Sequence, residues 1–340
     1  MSRGLSPGHG QNGGVERLLQ RLDELYAIGA TRIGYSAEED AAHGLFARWL
    51  REAGLGVETD RAGNTIGRRG DAALWLGSHL DTVPNGGRFD GALGVVAALE
   101  VAVRADVPLA VVAFRDEERT CAGSVACVED RRLPAAFLEL HIEQGPVLAR
   151  ADAPVGIVTG IVGQARGEVV FEGRADHAGT TPMDARDDAL VKAAEFVLDA
   201  QAAAADGAVA TIGQLRVEPG AVNVVPRRVT VSVDARAPSS GQLEELVAAI
   251  GFDPIYRTEP VAMSAPPLAA LREAAPGAPE LVSGAGHDAG ILAAAGVPSG
   301  MLFVRSLNGG VSHSPQELSS ADDIARAVDV LAAAAVRIAG

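Results

Sequence analysis

The hydrophobic pattern of this chain changes its period near Gly163 and changes back after Pro254. Before the change, short apolar runs at 73–76, 109–114 and 136–142 are separated by segments of helical spacing. One such segment spans 15–28, with Leu18, Leu19, Leu22 and Leu25 on one face; another spans 92–103. A third opens with Ser36 and Glu39, the two ends of a capping box, and stops at Gly54. Continuous apolar strands alternating with helices predict an α/β sheet covered on both faces. Between the two changes the runs at 166–174, 208–217 and 228–236 alternate like half-exposed strands, with an Ala-rich helix at 184–205 and another near 242–250. That βαββα order predicts a small α+β sheet with helices on one face. After Pro254 the first style resumes, with an apolar strand at 301–304 and a last helix at 321–338. The expected organisation is one discontinuous α/β domain, 1–163 and 254–340, interrupted by an inserted α+β domain, 164–253.

The bulk properties narrow the function. A chain of 340 residues suits two domains, and 48% hydrophobic residues suffice for a sizeable core. The net charge of −15 argues against a nucleic-acid partner, which needs a basic footprint, but not against small anionic substrates held by a metal. Two cysteines, Cys121 and Cys127, make no disulfide framework and fit a reducing cytoplasm. Residues 1–14 lack the apolar core of a signal peptide and read as a linker-like start. No apolar run reaches the roughly 18 residues of a membrane span, so no membrane association is expected.

Five places concentrate metal-binding residue types: His79 with Asp81, Asp90 in a Gly-rich turn, Asp116-Glu117-Glu118, His141 followed by Gln144, and His313. Most follow or border an apolar strand, and the carboxyl ends of strands are where α/β sheets collect their sites. Each alone has an ordinary explanation, such as a buried histidine on a backbone carbonyl, a turn aspartate or a solvated acidic loop. Together, three histidines and two carboxylates can hold two divalent ions with one carboxylate bridging. The adjacent pair Glu117-Glu118 can divide metal binding from proton transfer.

The segments from Gly77 to Gly91, from Glu139 to Gly145, from His177 to Met183, from Gly220 to Pro226, from Ser283 to Ala289 and from Val311 to Pro315 together resemble one group. The chain resembles the hydantoinase/carbamoylase-type amidases, which include N-carbamoyl-L-amino-acid hydrolases, zinc-type β-ureidopropionases and allantoate amidohydrolases. These belong to the zinc aminoacylase/carboxypeptidase-like superfamily. The resemblance covers the chain from about Ser36 to its end, and His141 is discriminating, because the peptidase branches usually place a carboxylate there.

The resemblance implies a zinc-peptidase-like catalytic domain with an inserted lid and dimerisation domain. It implies two divalent ions, zinc first, with manganese, cobalt or nickel as substitutes. His79 and His141 would bind one ion, Glu118 and His313 the other, and Asp90 would bridge them, with a cis peptide to Gly91. Asp81 would orient His79, and Glu117 would be the general base. His177 would donate to the oxyanion, Asn223 and Arg236 would clamp a substrate carboxylate, and Gln144 would bind the ureido or amide end. His287-Asp288 would support the site or cap a helix. A homodimer through the inserted domain is implied, with His177 acting across the interface.

The expected reaction is hydrolysis of a linear ureido or amide C–N bond in a small carboxylate substrate, such as an N-carbamoyl amino acid or allantoate. The rivals are an N-acyl amino acid or dipeptide hydrolase on the same ions, and a non-catalytic binding protein with a decayed enzyme fold. The sequence departs from the family pattern after the paired glutamates. Only 23 positions separate Glu118 from His141, where the family has a longer excursion, and the missing piece is expected to border the metal pocket. Cys121 in the segment that remains reads as a small thiol rather than a ligand or nucleophile, and His9 and His43 read as surface residues.

Overall fold

The computed structural model describes residues 11–340. His9 and most of the linker-like start lie outside the described residues, but 11–14 do not continue that linker: they open the helix Gln11–Ile28. Gly14 there faces the side chains of Glu100 and Arg104, with which a Cβ would collide.

The chain divides into two units, one running up to Gly160 and resuming at Ala262–Gly340, the other Ile161–Val261. The first unit is built on a nine-stranded sheet among the described residues. Its central strands lie in the order Thr65–Arg69, Leu109–Phe114, Leu74–His79, Ala136–Ile142, Ser299–Val304 and Val155–Ile161. The four in the middle of that series are mutually parallel, and the two flanking them are antiparallel to their neighbours. Every residue of those four parallel strands is buried, as both-face coverage requires.

The helix Ala92–Arg104 buries its first eleven residues against Leu74–His79 and Ala136–Ile142. It contains four valines, poor helix formers, so its helicity comes from packing rather than propensity. Leu93 and Leu99 are fully buried in it, and truncating either to alanine costs about 2–5 kcal/mol. Ala321–Ala339, Gln11–Ile28 and Pro267–Ala274 pack around the same helix and sheet. The short helices Ala122–Glu129 and Asp288–Ala294 pack on each other and on strands of the sheet.

The second unit is a five-stranded antiparallel sheet. Its longest strands, Gly163–Glu172 and Arg228–Ala237, pair over their whole length. In Arg228–Ala237 every second residue is buried, and Val229, Val231, Val233 and Ala235 meet the helices Ala189–Ala203 and Ser240–Ile250. The other face is polar and laced by cross-strand ion pairs, Arg166–Asp234 at 3.0 Å and Arg228–Glu172 at 2.9 Å.

Two expectations change here. The run at 208–217 is two strands, Val209–Thr211 and Leu215–Glu218, both paired with Arg228–Ala237. Between them Gln214 makes bonds with the backbone and side chain of Ser232 next to Gly213, an irregularity of the kind glycine permits. The helix expected from 184 starts at Ala189, because Asp188 caps it by accepting from Leu190 N at 2.8 Å.

Candidate metal centre

The site lies at the carboxyl ends of the four parallel strands. His79 is the last residue of its strand, and Asp116-Glu117-Glu118 follow Phe114 in register beside it. His141 is the penultimate residue of Ala136–Ile142, beside Phe303 of the next strand, and His313 comes from the loop after that strand. Asp90 precedes the buried helix Ala92–Arg104. Residues far apart in sequence therefore meet because parallel strands deliver all their carboxyl ends to one edge.

Two groups of potential ligands form there. His79, Asp90 and His141 offer atoms within 4.8 Å of one another, and so do Asp90, Glu118 and His313. Asp90 is common to both. Its Oδ1 is 3.1 Å from His141 Nε2 and 4.0 Å from His79 Nε2; its Oδ2 is 3.5 Å from His313 Nε2. Glu118 Oε2 is 3.4 Å from His313 Nε2. A third group, Glu139, His141 and His287, lies alongside.

These residues fit divalent ions on two grounds. The donors are imidazole nitrogens and carboxylate oxygens, which suit zinc and similar metals. Two of their atoms, His79 Nε2 and Glu118 Oε1, are buried without a protein hydrogen-bond partner, an expensive state that a bound cation relieves. The side chain of His313 is 51% exposed, whereas those of the other four are at most 9% exposed, so the site opens to solvent on the His313 side.

The orienting bonds are consistent with that chemistry. His79 Nδ1 lies 3.2 Å from the Asp81 carbonyl and 3.3 Å from its carboxylate, and His141 Nδ1 lies 2.9 Å from the Ile142 carbonyl. Both histidines thus direct Nε2 into the site. The Asp81 carboxylate also accepts from Glu117 N and Glu118 N, each at 3.1 Å, which fixes the loop that carries both glutamates.

Charges in the site are strongly coupled. Burial alone lowers the pKa of His79, but the carboxylates of Glu117, Asp81 and Asp90 outweigh it and raise His79 well above its ordinary value. Burial is likewise overcome by Asp90 at His141, which is also raised. At His313 the bond to Glu118 raises the pKa. Burial pushes Asp90 up, yet the three imidazoles hold it well below the carboxylate range. Glu117 is raised well above that range by burial, against the opposing pull of His79 and with Asp288 and Glu118 adding to it. Glu117 Oε2 sits 3.7 Å from His79 Nε2, at the rim of the ligand groups but in neither of them.

Gln144 adopts a left-handed backbone, φ +57, and its Nε2 donates to Asp90 Oδ2 at 2.9 Å and to Ser312 Oγ at 3.1 Å. The peptide between Asp90 and Gly91 is not cis; the cis bonds among the described residues precede Pro219 and Pro266. The turn is made instead by Gly91 at φ +61 and ψ −53. His287 occupies the cap of Asp288–Ala294 without a side-chain cap bond. Its Nε2 is 2.8 Å from Ser283 Oγ, and its buried Nδ1 is 4.0 Å from Glu117 Oε1. His43 is buried rather than on the surface. It lies four residues after Glu39 on the face of its helix that carries Phe46 and Leu50, with Nδ1 2.9 Å from Thr65 Oγ1. The short segment after Glu118 is filled by the helix Ala122–Glu129, and burial raises the Cys121 thiol, which leaves no reactive thiolate there.

The bracing roles of three buried carboxylates escaped the sequence reading. Glu39 does not complete its capping box on Ser36. It accepts instead from Tyr35 N, from Asp116 N at 3.2 Å and from Arg115 Nε at 2.8 Å, bracing the loop before Glu117. Glu139 takes Ser78 Oγ at 2.7 Å and Ala289 N at 2.9 Å. Glu317 accepts from the backbone of both Asp90 and His313. Glu139 had a readable signal: it shares strand parity with His141.

His177, Asn223 and Arg236 belong to the second unit. His177 is exposed, and its Nδ1 accepts from Gly179 N at 3.0 Å and Thr180 N at 3.2 Å, so a neutral ring carries its proton on Nε2. The carbonyl of the exposed Asn223 accepts from Ala178 N at 2.9 Å, which brings the two residues together. Arg236 lies on the polar face of the sheet, its Nε 2.9 Å from Asp234 Oδ1 and its Nη2 3.0 Å from Oδ2.

Comparison with known proteins adds three findings. A family model described as Peptidase family M20/M25/M40 matches residues 75–337. An N-carbamoyl-L-amino acid amidohydrolase of Geobacillus stearothermophilus is 39% identical over 93% of this chain and 96% of its own, and an allantoate amidohydrolase of Bacillus subtilis is 34% identical over 86% and 89%. A crystal structure of a hydantoinase/carbamoylase family amidase from Burkholderia multivorans superposes with a TM-score of 0.87 at 32% identity, covering 96% of this chain and 98% of that one.

Proposed function

Since the chain belongs to peptidase family M20/M25/M40, in its hydantoinase/carbamoylase amidase branch, we propose that it is a two-metal amidohydrolase that cleaves the ureido C–N bond of a small carboxylate substrate, an N-carbamoyl amino acid, allantoate or a related ureido acid. One observation carries the reading. Asp90 is shared by two ligand groups whose remaining members include buried polar atoms without a protein partner. The ureido class is supported by what the relatives are named for.

His79 and His141 would hold one ion and Glu118 and His313 the other, with Asp90 between them and zinc as the first choice. Such ions, when bound, polarise a carbonyl and make water acidic enough to be a nucleophile near neutral pH. Glu117 takes the proton of the attacking water and returns it to the departing nitrogen. His177, protonated on Nε2, would donate to the developing oxyanion. Arg236 and Asn223 would clamp the substrate carboxylate, since a guanidinium fork matches two carboxylate oxygens. Gln144 would reach the ureido end from its place beside Asp90. A carbamoyl group released in this way falls apart into ammonia and carbon dioxide.

The inserted unit would serve as lid and as the dimerisation surface of a homodimer. No helix among the described residues is long and apolar enough to cross a membrane. The two cysteines are free thiols, which supports a cytoplasmic setting.

The test is a panel of N-carbamoyl amino acids, allantoate and N-acyl amino acids, assayed after chelation and again after zinc or manganese is restored. Metal-dependent ammonia release from the ureido substrates is expected. Release of a carboxylic acid from the N-acyl substrates alone would replace the ureido reading by a plain acylase.

A further inference from the structure

We propose that Glu317 is a positioning residue that sets the distance between Asp90 and His313 and so controls how tightly the second ion is held. Its carboxylate is buried, 6% exposed, and spans two loops that no strand ladder joins. Oε2 accepts from Phe89 N at 3.1 Å and Asp90 N at 3.2 Å. Oε1 accepts from Ser312 Oγ at 3.0 Å and His313 N at 3.1 Å. One side chain therefore fixes the backbone of two candidate ligands more than two hundred positions apart in sequence, while contributing no atom to either ligand group.

Two further observations show that this strut is built in. A Cβ on Gly87 would collide with the Glu317 carboxylate, so the room it occupies exists because residue 87 is glycine. His313 has a left-handed backbone, φ +54, which is costly for a residue with a Cβ and persists where surrounding bonds hold it. The bond from His313 N to Glu317 is one such hold. All four donors need an acceptor, and only a carboxylate offers acceptors on both ends; a glutamine in its place would turn an amide N–H toward one pair of donors.

The inference rests on the reading of Asp90 and His313 as ligands, and the test separates the two. Zinc(II) binding to the metal-stripped full chain is measured by competition with a chromophoric chelator, alongside thermal unfolding of the metal-free protein. The unmodified chain should bind two ions. Glu317→Gln should bind the second at least about tenfold more weakly, the range found when a residue supporting a ligand is lost, with its metal-free midpoint within a few degrees of the unmodified chain. A lowered midpoint with unchanged affinity for both ions would overturn the positioning role and leave Glu317 a structural residue. Should Glu317→Gln fail to fold, Gly87→Ala displaces the carboxylate without removing its charge. It should show the same weakening, and two tight ions in that variant would overturn the proposal. His313→Ala is the control. If it loses an ion and Glu317→Gln does not, the role of Glu317 fails alone. If it keeps both, the ligand reading fails and this inference with it.

Discussion

The amide nitrogen of Ala92 donates to the carbonyl oxygen of Asp90 at 2.6 Å, closing a γ-turn over Gly91 with φ +61 and ψ −53. This three-residue turn, uncommon and strained, points the Asp90 side chain back at the histidines while launching the buried helix. A Cβ on Gly91 would collide with the His79 ring. Gly91→Ala therefore combines a left-handed φ with overpacking of a site residue. It should destabilise the metal-free protein by about 2–4 kcal/mol and displace His79. Urea unfolding measures the first and zinc titration the second. A variant as stable as the parent, with two zinc ions bound, would show that neither the turn nor the contact matters.

Glu117 is poised differently from its neighbour. Glu118 lies within a ligand group, whereas Glu117 stands at the rim, 3.7 Å from His79 Nε2. Glu117→Gln keeps the shape and removes the base. Zinc content should be unchanged while kcat falls by about a thousandfold, within the range that general acid–base catalysis supplies. Turnover near the parental rate would remove Glu117 from the mechanism.

Acid should release the ions. His79, His141 and His313 all have pKa values raised above the ordinary 6.5 when no metal is present. Below those raised values each ring carries a proton that a metal must displace, so binding releases protons and affinity falls as pH falls. The loss should begin above pH 6.5 and deepen as the pH falls through that value. Zinc affinity measured at several pH values checks it; an affinity flat across them would mean the three rings are not ligands. Chelation at pH 6 should accordingly inactivate faster than at pH 8, and restored zinc should reverse it.

The strand Leu109–Phe114 is legible residue for residue because a parallel strand buried on both faces writes itself as an unbroken apolar run, and Ala136–Ile142 is legible because only Glu139 and His141 interrupt its own. Leu74–His79 is legible only in its first half. Its last residues, Gly77, Ser78 and His79, are small or polar yet buried, because the site starts inside the strand. The pair Gly56–Thr59 and Thr65–Arg69 carries no such run and is held by pairing with Leu109–Phe114, a tertiary fact. The same division holds in the site. His79, Asp90, Glu118, His141 and His313 stand out by residue type and motif. Glu317 does not, and Glu39 reads only as a helix cap, since an acidic side chain looks alike on paper whether it reaches solvent or a set of buried donors. Only the folded neighbourhood tells which.

Arg236 makes the last prediction, and its geometry says how the variant should fail. In the second unit its guanidinium lies in a two-pronged bond to Asp234, which also accepts from Arg166 Nε at 3.0 Å and Gln164 Nε2 at 2.8 Å. Burial works against the Asp234 carboxylate, but Arg236, Gln164 and Arg166 together hold its pKa below the usual value, so it stays ionised and keeps the guanidinium plane fixed. A guanidinium whose plane is fixed in advance loses little entropy when a substrate carboxylate arrives. Arg236→Ala should therefore raise KM for carboxylate-bearing ureido substrates by about a hundredfold and change kcat little, the signature of lost uniform binding. Arg236→Lys should recover part of the affinity, since the charge returns without the fork. The zinc content should be that of the parent in both. If KM is unmoved in Arg236→Ala, the carboxylate is held elsewhere; if kcat falls with KM unchanged, Arg236 acts on the transition state and not on the bound carboxylate.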